Sequence, residues 1–117
     1  MNVVNVGLIG CGAISGAYLE NARRFPVLHF AACADLDRSR AVATATQFGV
    51  GRACDVDELL KDESIEIVLN LTVPKAHVPV GLASLAAGKH VYSEKPLGVN
   101  RDEGLKLLEA ARARNLR

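Results

Sequence analysis

The first residues whose types and spacing could do chemistry are glycines. The run Val6-Gly7-Leu8-Ile9-Gly10-Cys11-Gly12-Ala13-Ile14-Ser15-Gly16 passes from an apolar stretch into a helical pattern, with Gly10, Gly12 and Ser15 in G-x-G-x-x-S spacing. A diphosphate held by main chain needs close backbone approach and N–H donors that no helical turn consumes. A strand that ends in glycines and opens directly into a helix offers both. Gly10 allows the tight turn, and Gly12 lacks the Cβ that would meet the phosphates. Ser15 is small but is not the usual Gly or Ala, and Gly16 beside it should keep the position tolerant. Gly10, Gly12, Ala13 and Ile14 are therefore the expected diphosphate contacts. Asp35 ends the next apolar run, near the spacing of about 20 residues at which an acid takes the ribose of a dinucleotide. Its carboxylate can accept from both adenosine ribose hydroxyls and would repel a 2′-phosphate, which points to NAD. Arg38 and Arg40 nearby keep NADP open, because a guanidinium can accommodate that phosphate. Asp37 reads as a solvated loop acid, and the bland alternative for Asp35 is a helix N-cap.

The elements that must hold these residues alternate along the chain. Residues 3–9, 29–34, 50–54, 65–73 and 90–93 read as strands, and 13–24, 39–48, 55–61, 75–87 and 101–114 as helices. Pro26 closes the first helix, Gly49 and Gly88 stop the second and fourth, and Asp55 with Glu58 stands in capping-box spacing. Such alternation predicts an α/β fold of Rossmann type: a doubly wound parallel sheet with right-handed crossovers and helices on both faces. At 117 residues the chain makes one domain. Half of it is hydrophobic (50%) but only 4% is aromatic, so the core must be aliphatic, as in helix-covered parallel sheets. A net charge of +1 gives no basic patch for nucleic acid. Cys11, Cys33 and Cys54 lack metal-ligand or C-x-x-C spacing, so reduced, buried thiols and no metal are expected. There is no basic-then-apolar leader and no apolar run long enough for a bilayer, so a cytoplasmic protein without membrane contact is expected.

The second half carries two further motifs. One is Asn70-Leu71-Thr72-Val73-Pro74-Lys75-Ala76-His77; the other is Ala87-Gly88-Lys89-His90-Val91-Tyr92-Ser93-Glu94-Lys95-Pro96-Leu97. With the glycine turn, in this order and spacing, they resemble the Gfo/Idh/MocA family of glucose-fructose oxidoreductases and inositol dehydrogenases, over essentially the whole chain. The resemblance implies the N-terminal Rossmann domain of an NAD(P)-dependent dehydrogenase or reductase of sugars, cyclitols or related polyols. A larger α+β domain with an open sheet would follow. It implies that Thr72 and Pro74 line the cofactor cleft and that Glu94 lies near the nicotinamide ribose. Lys95 would sit beside the nicotinamide and orient or polarise the reacting hydroxyl or carbonyl, and the bond from Lys95 to Pro96 would often be cis. His77 belongs to the same loop and is a candidate cofactor contact, although its position suits capping or packing at a helix start better than chemistry. His29 and His90 are expected to be structural.

Residue-level reasoning agrees for Lys95. A cation at the carboxyl end of a parallel strand stands where open α/β sheets bind ligands, and there it could stabilise a developing alkoxide or share its proton. The bland alternative is a solvated lysine paired with Glu94. One departure is clear. The family often has Thr-Pro-Asn-x-x-His where this chain has Thr72-Val73-Pro74-Lys75-Ala76-His77, so an asparagine contact to the cofactor is lost. A sixth strand and a substrate domain are expected beyond residue 117, so the chain should bind dinucleotide without turnover. The bared edge of the fifth strand should favour a homo-oligomer. The rival readings are a non-catalytic dinucleotide sensor and the cofactor domain of another reductase class, such as a biliverdin reductase.

Overall fold

Strands that alternate with helices can share one sheet only through crossovers that carry the helices to its faces. A computed structural model describes residues 2–117 in that arrangement. The elements are β1 (Val4–Ile9), α1 (Ser15–Ala22), β2 (Leu28–Ala34), α2 (Arg38–Phe48), β3 (Ala53–Cys54), α3 (Val56–Lys61), β4 (Ile67–Asn70), α4 (His77–Ala86), β5 (His90–Ser93) and α5 (Arg101–Ala113). The sheet order is β3-β2-β1-β4-β5 with every pairing parallel, so the expected doubly wound topology is present.

Alternation along the inner strands sends successive side chains to opposite faces. Leu8, Cys33 and Leu69 pack with Leu19 of α1 and Ala41 of α2 on one side. Ile9, Ala34 and Val68 pack with Leu59 of α3 and Val80 of α4 on the other. The helix α5 lies on α4, where Leu107 is buried. All three cysteines are free and buried. The ammonium of buried Lys89 donates to the Asp62 carbonyl at 2.6 Å, which meets the need of a buried cation for an acceptor.

Helix starts follow their caps. Asp37 Oδ1 accepts from the Ser39 amide at 3.0 Å, Asp55 Oδ1 from Glu58 at 2.7 Å and Asn100 Oδ1 from Glu103 at 2.9 Å. Several elements are shorter than their patterns suggest. The third strand is Ala53–Cys54 alone. The apolar run 65–73 is paired only over Ile67–Asn70, because the Asn70 side chain takes the Thr72 amide and turns the chain out of the sheet. Pro74 then opens a 3-10 turn, Pro74–Ala76, so the helix begins at His77 rather than Lys75. On the α1 face, no helix of the described residues covers β4 and β5. Tyr18, Phe25, Phe30, Ile67 and Tyr92 line an apolar groove there of about 280 Å³. The Arg117 carbonyl accepts from the Val91 amide at 2.7 Å, so the main chain at residue 117 lies against the outer edge of β5. Among the described residues no helix is long and apolar enough to cross a membrane.

Candidate dinucleotide site

Neighbouring strands β1 and β4 send their crossovers to opposite faces of the sheet. The chain therefore parts at their carboxyl ends and leaves a crevice, the place where such sheets bind ligands. It measures about 450 Å³ and is walled by Gly10, Gly12, Asp35, Arg40, Thr72 and Val80 among others.

The glycine turn closes one side. Gly10 has φ +100°, and a Cβ on it would stand 2.6 Å from the Leu71 carbonyl carbon and oxygen and 2.8 Å from the Thr72 nitrogen. It is the point where the β1 and β4 loops touch. A Cβ on Gly12 would meet nothing within 4 Å, so that position looks onto open crevice. Ser15 is buried, and its hydroxyl donates to the Gly12 carbonyl at 2.7 Å, which fastens the turn from inside. The Gly10 amide is spent on Ala34 O and the Cys11 amide on Asp35 Oδ2. The amides of Gly12, Ala13 and Ile14 have no acceptor among the described residues, and Ile14 at the start of α1 supplies no side-chain cap. Uncapped donors at the positive end of a helix fit an anion, and the bare space at Gly12 gives a diphosphate room to reach them.

Asp35 stands at the far end of this wall. Its Oδ2 accepts from Cys11 N and its Oδ1 from Asp37 N, each at 2.8 Å. The N-cap of α2 is Asp37, the acid expected to be merely solvated, and Asp35 instead ties the glycine turn to the loop before α2. Each carboxylate oxygen keeps lone-pair capacity for a hydroxyl. Arg40 of α2 lines the same crevice.

The opposite wall is the loop after β4. Asn70, with no exposed surface, donates from Nδ2 to the His77 carbonyl at 2.9 Å. Its Oδ1 accepts from the Thr72 hydroxyl at 2.7 Å. His77, one of the expected cofactor contacts, is only 1% exposed. Its Nε2 lies 2.7 Å from Thr72 O and its Nδ1 2.5 Å from Pro96 O, so neither ring nitrogen is left for a ligand. It braces the loop from behind, because the burial that packs it at the head of α4 also removes it from the crevice. The Lys95–Pro96 bond is cis. Among the described residues Lys95 forms no ion pair, so the alternative of a pairing with Glu94 is absent and the contact to that carboxylate is through the Lys95 amide, at 3.0 Å.

The second Glu94 oxygen accepts from the Tyr18 hydroxyl, which reaches across from α1. That bond, then the Lys95 amide, holds the Glu94 carboxyl below the usual carboxylate range. The same bond, with burial, pushes the Tyr18 hydroxyl up to about 12. The pair therefore stabilises the fold fully between the ordinary values of 4.5 for glutamate and 10.0 for tyrosine. Its contribution fades below that window as Glu94 protonates through its lowered value, and above it as pH rises toward about 12. In a tyrosinate absorbance titration, Tyr18 should ionise well after free tyrosine, and Glu94→Gln should bring it back; an unshifted parent titration would remove the bond. Neither Asn70 nor Tyr18 stood out in the sequence. Asn70 is detectable as a polar residue inside an apolar run, whereas Tyr18 and Glu94 lie 76 positions apart and only the fold joins them.

Residues 4–117 match the model of the Gfo/Idh/MocA oxidoreductases, described as an oxidoreductase family with an NAD-binding Rossmann fold. The chain belongs to this family. The glycine turn, the Thr72 loop and the segment ending in Glu94-Lys95-Pro96-Leu97 are thus parts of one Gfo/Idh/MocA domain. It is 33% identical to an inositol 2-dehydrogenase of Rubrobacter xylanophilus over 108 residues, which covers 92% of this chain and 31% of that protein. Its fold superposes on GenD2 from gentamicin A biosynthesis, solved with NAD, with a TM-score of 0.93 at 28% identity, over 99% of this chain and 33% of GenD2. It also superposes on a biliverdin reductase of Synechocystis sp. PCC 6803, solved with biliverdin and NADP+, with a TM-score of 0.87 at 29% identity, over 97% of this chain and 36% of that one. The chain spans about a third of the length of the curated relatives it matches.

Proposed function

We propose that this Gfo/Idh/MocA domain binds NAD across the crevice between β1 and β4. The whole protein would be a dehydrogenase or reductase of a sugar, cyclitol or related polyol. The observation that carries the reading is the set of acceptor-free amides at Gly12, Ala13 and Ile14 beside the open space at Gly12. Those amides would donate to the diphosphate oxygens, and Asp35 would accept from the adenosine ribose hydroxyls. Thr72 and Pro74 would form the facing wall, with Glu94 at the nicotinamide ribose. Nicotinamide, when bound, supplies or accepts the hydride. Lys95, whose ammonium forms no ion pair among the described residues, would donate a hydrogen bond to the reacting oxygen and steady the charge that develops there. The inositol 2-dehydrogenase relatives support a polyol substrate. The reading extends to a cytoplasmic homo-oligomer, supported by reduced cysteines and by exposed Phe25 and Tyr92 beside the apolar groove.

NADP is the second reading, supported by Arg40 in the crevice wall. Fluorescence titration with NADH and NADPH separates the two. NADH should bind more tightly to the parent. Asp35→Ser should weaken NADH by about tenfold while sparing or improving NADPH. A parent that prefers NADPH would reverse the cofactor assignment.

A further inference from the structure

His77 sits between two oxygen atoms that can only accept. Its Nε2 is 2.7 Å from the carbonyl of Thr72, and its Nδ1 is 2.5 Å from the carbonyl of Pro96. A neutral imidazole carries one N–H and would set the lone pair of its other nitrogen against a carbonyl lone pair at contact distance; only the imidazolium donates from both sides. We infer that His77 carries a proton on both ring nitrogens and acts as a cationic positioning residue, tying the Thr72 loop to the turn that presents Lys95. The placement of these loops at the nicotinamide end of the crevice rests on the function proposed above.

The surroundings agree. A buried cation needs opposite charge or full hydrogen bonding, and here both carbonyls are satisfied by the ring. Glu94, in the turn after β5, is the nearby anion, and its carboxyl is kept low first by Tyr18 and the Lys95 amide, then by the Lys95 and His77 charges. The nearby cations, Lys75 in the 3-10 turn and Lys95 before Pro96, are exposed. Asn70 completes the brace: its amide holds the His77 carbonyl while its oxygen holds the Thr72 hydroxyl and amide. Every polar main-chain atom of Thr72 is thereby fixed by one of two buried side chains. His90 provides the contrast within the same chain. Its Nδ1 accepts from the Arg117 amide at 3.1 Å, so that nitrogen carries no proton.

The proton count is read directly from the long-range proton–nitrogen correlation spectrum of the 15N-histidine-labelled chain at neutral pH, with His77→Gln used for assignment. Two protonated-type ring nitrogens for His77, beside an unprotonated Nδ1 for His90, are expected. A His77 ring with one unprotonated nitrogen would overturn the inference. The positioning role is read by comparing NADH with ADP-ribose, which lacks nicotinamide. His77→Gln should weaken NADH by about tenfold and leave ADP-ribose unchanged. Equal losses for both ligands would make His77 merely structural and sink the positioning claim. The parent spectrum needs no variant to fold, and it decides the proton count even if neither nucleotide binds, an outcome that would instead defeat the proposed function.

Discussion

Gly10→Ala is expected to destabilise the domain by about 3 kcal/mol or more, a large part of the 5–15 kcal/mol typical of such domains. Two independent costs add at this residue. The backbone is left-handed, with φ +100°, where an alanine side chain is strained. The added Cβ would also overlap the carbonyl of Leu71 at 2.6 Å and the nitrogen of Thr72 at 2.8 Å. Both are main-chain atoms, so no rotamer change relieves the clash; the β1 and β4 loops must move apart. Chemical denaturation should show the midpoint falling with little change in slope. Nucleotide binding should fall with it, because the same shift opens the crevice. A variant that melts within about 2 °C of the parent would show that the two loops do not touch at Gly10, since 3 kcal/mol in a domain of this size is worth more than 10 °C.

Gly12→Ala, two residues on, is expected to give the opposite signature. Its Cβ would meet no protein atom within 4 Å, so stability should be unchanged or should rise by about 0.4–1 kcal/mol through the less flexible unfolded chain. Dinucleotide affinity should nevertheless fall by about a hundredfold, roughly 2.7 kcal/mol, because the methyl group fills the space through which a diphosphate reaches the Ala13 and Ile14 amides. Calorimetric titration with NADH beside a thermal melt measures both quantities on one sample. Undiminished NADH affinity in this variant would remove the diphosphate from the glycine turn. The two glycines thus separate a residue that spaces the fold from a residue that makes room for the ligand, a distinction their shared motif does not reveal.

Tyr18 and Glu94 bear on the same separation. The hydroxyl of Tyr18 leaves α1, the helix that opens at the glycine turn, and ends on the carboxylate next to Lys95. The bond thereby links α1 to the residue that precedes Lys95. Asn70 and His77 perform the corresponding service on the other wall, where they fix Thr72 and the Pro96 carbonyl.

The sequence by itself determined the layered fold and the identity of the glycine turn. Hydrophobic period and breakers are local properties, and a parallel sheet with right-handed crossovers is nearly the only way to pack strands that alternate with helices. It also singled out Asp35 and Lys95 as candidates, and, through likeness to a family rather than through physics, the cis bond before Pro96. Strand ends were less legible. Residues 65–73 form one apolar run, yet pairing stops at Asn70, because a side-chain hydrogen bond to Thr72 outcompetes the ladder there. Only the tertiary structure decided what His77 does, which acid caps α2, and that Glu94 bonds Tyr18 rather than the Lys95 ammonium. Each of those outcomes depends on which donors and acceptors are brought within about 3 Å of one another. Partners 19 or 76 positions apart leave no trace in local periodicity; the pairing of β4 with β5, and the packing of α1 across the sheet, is what selects them.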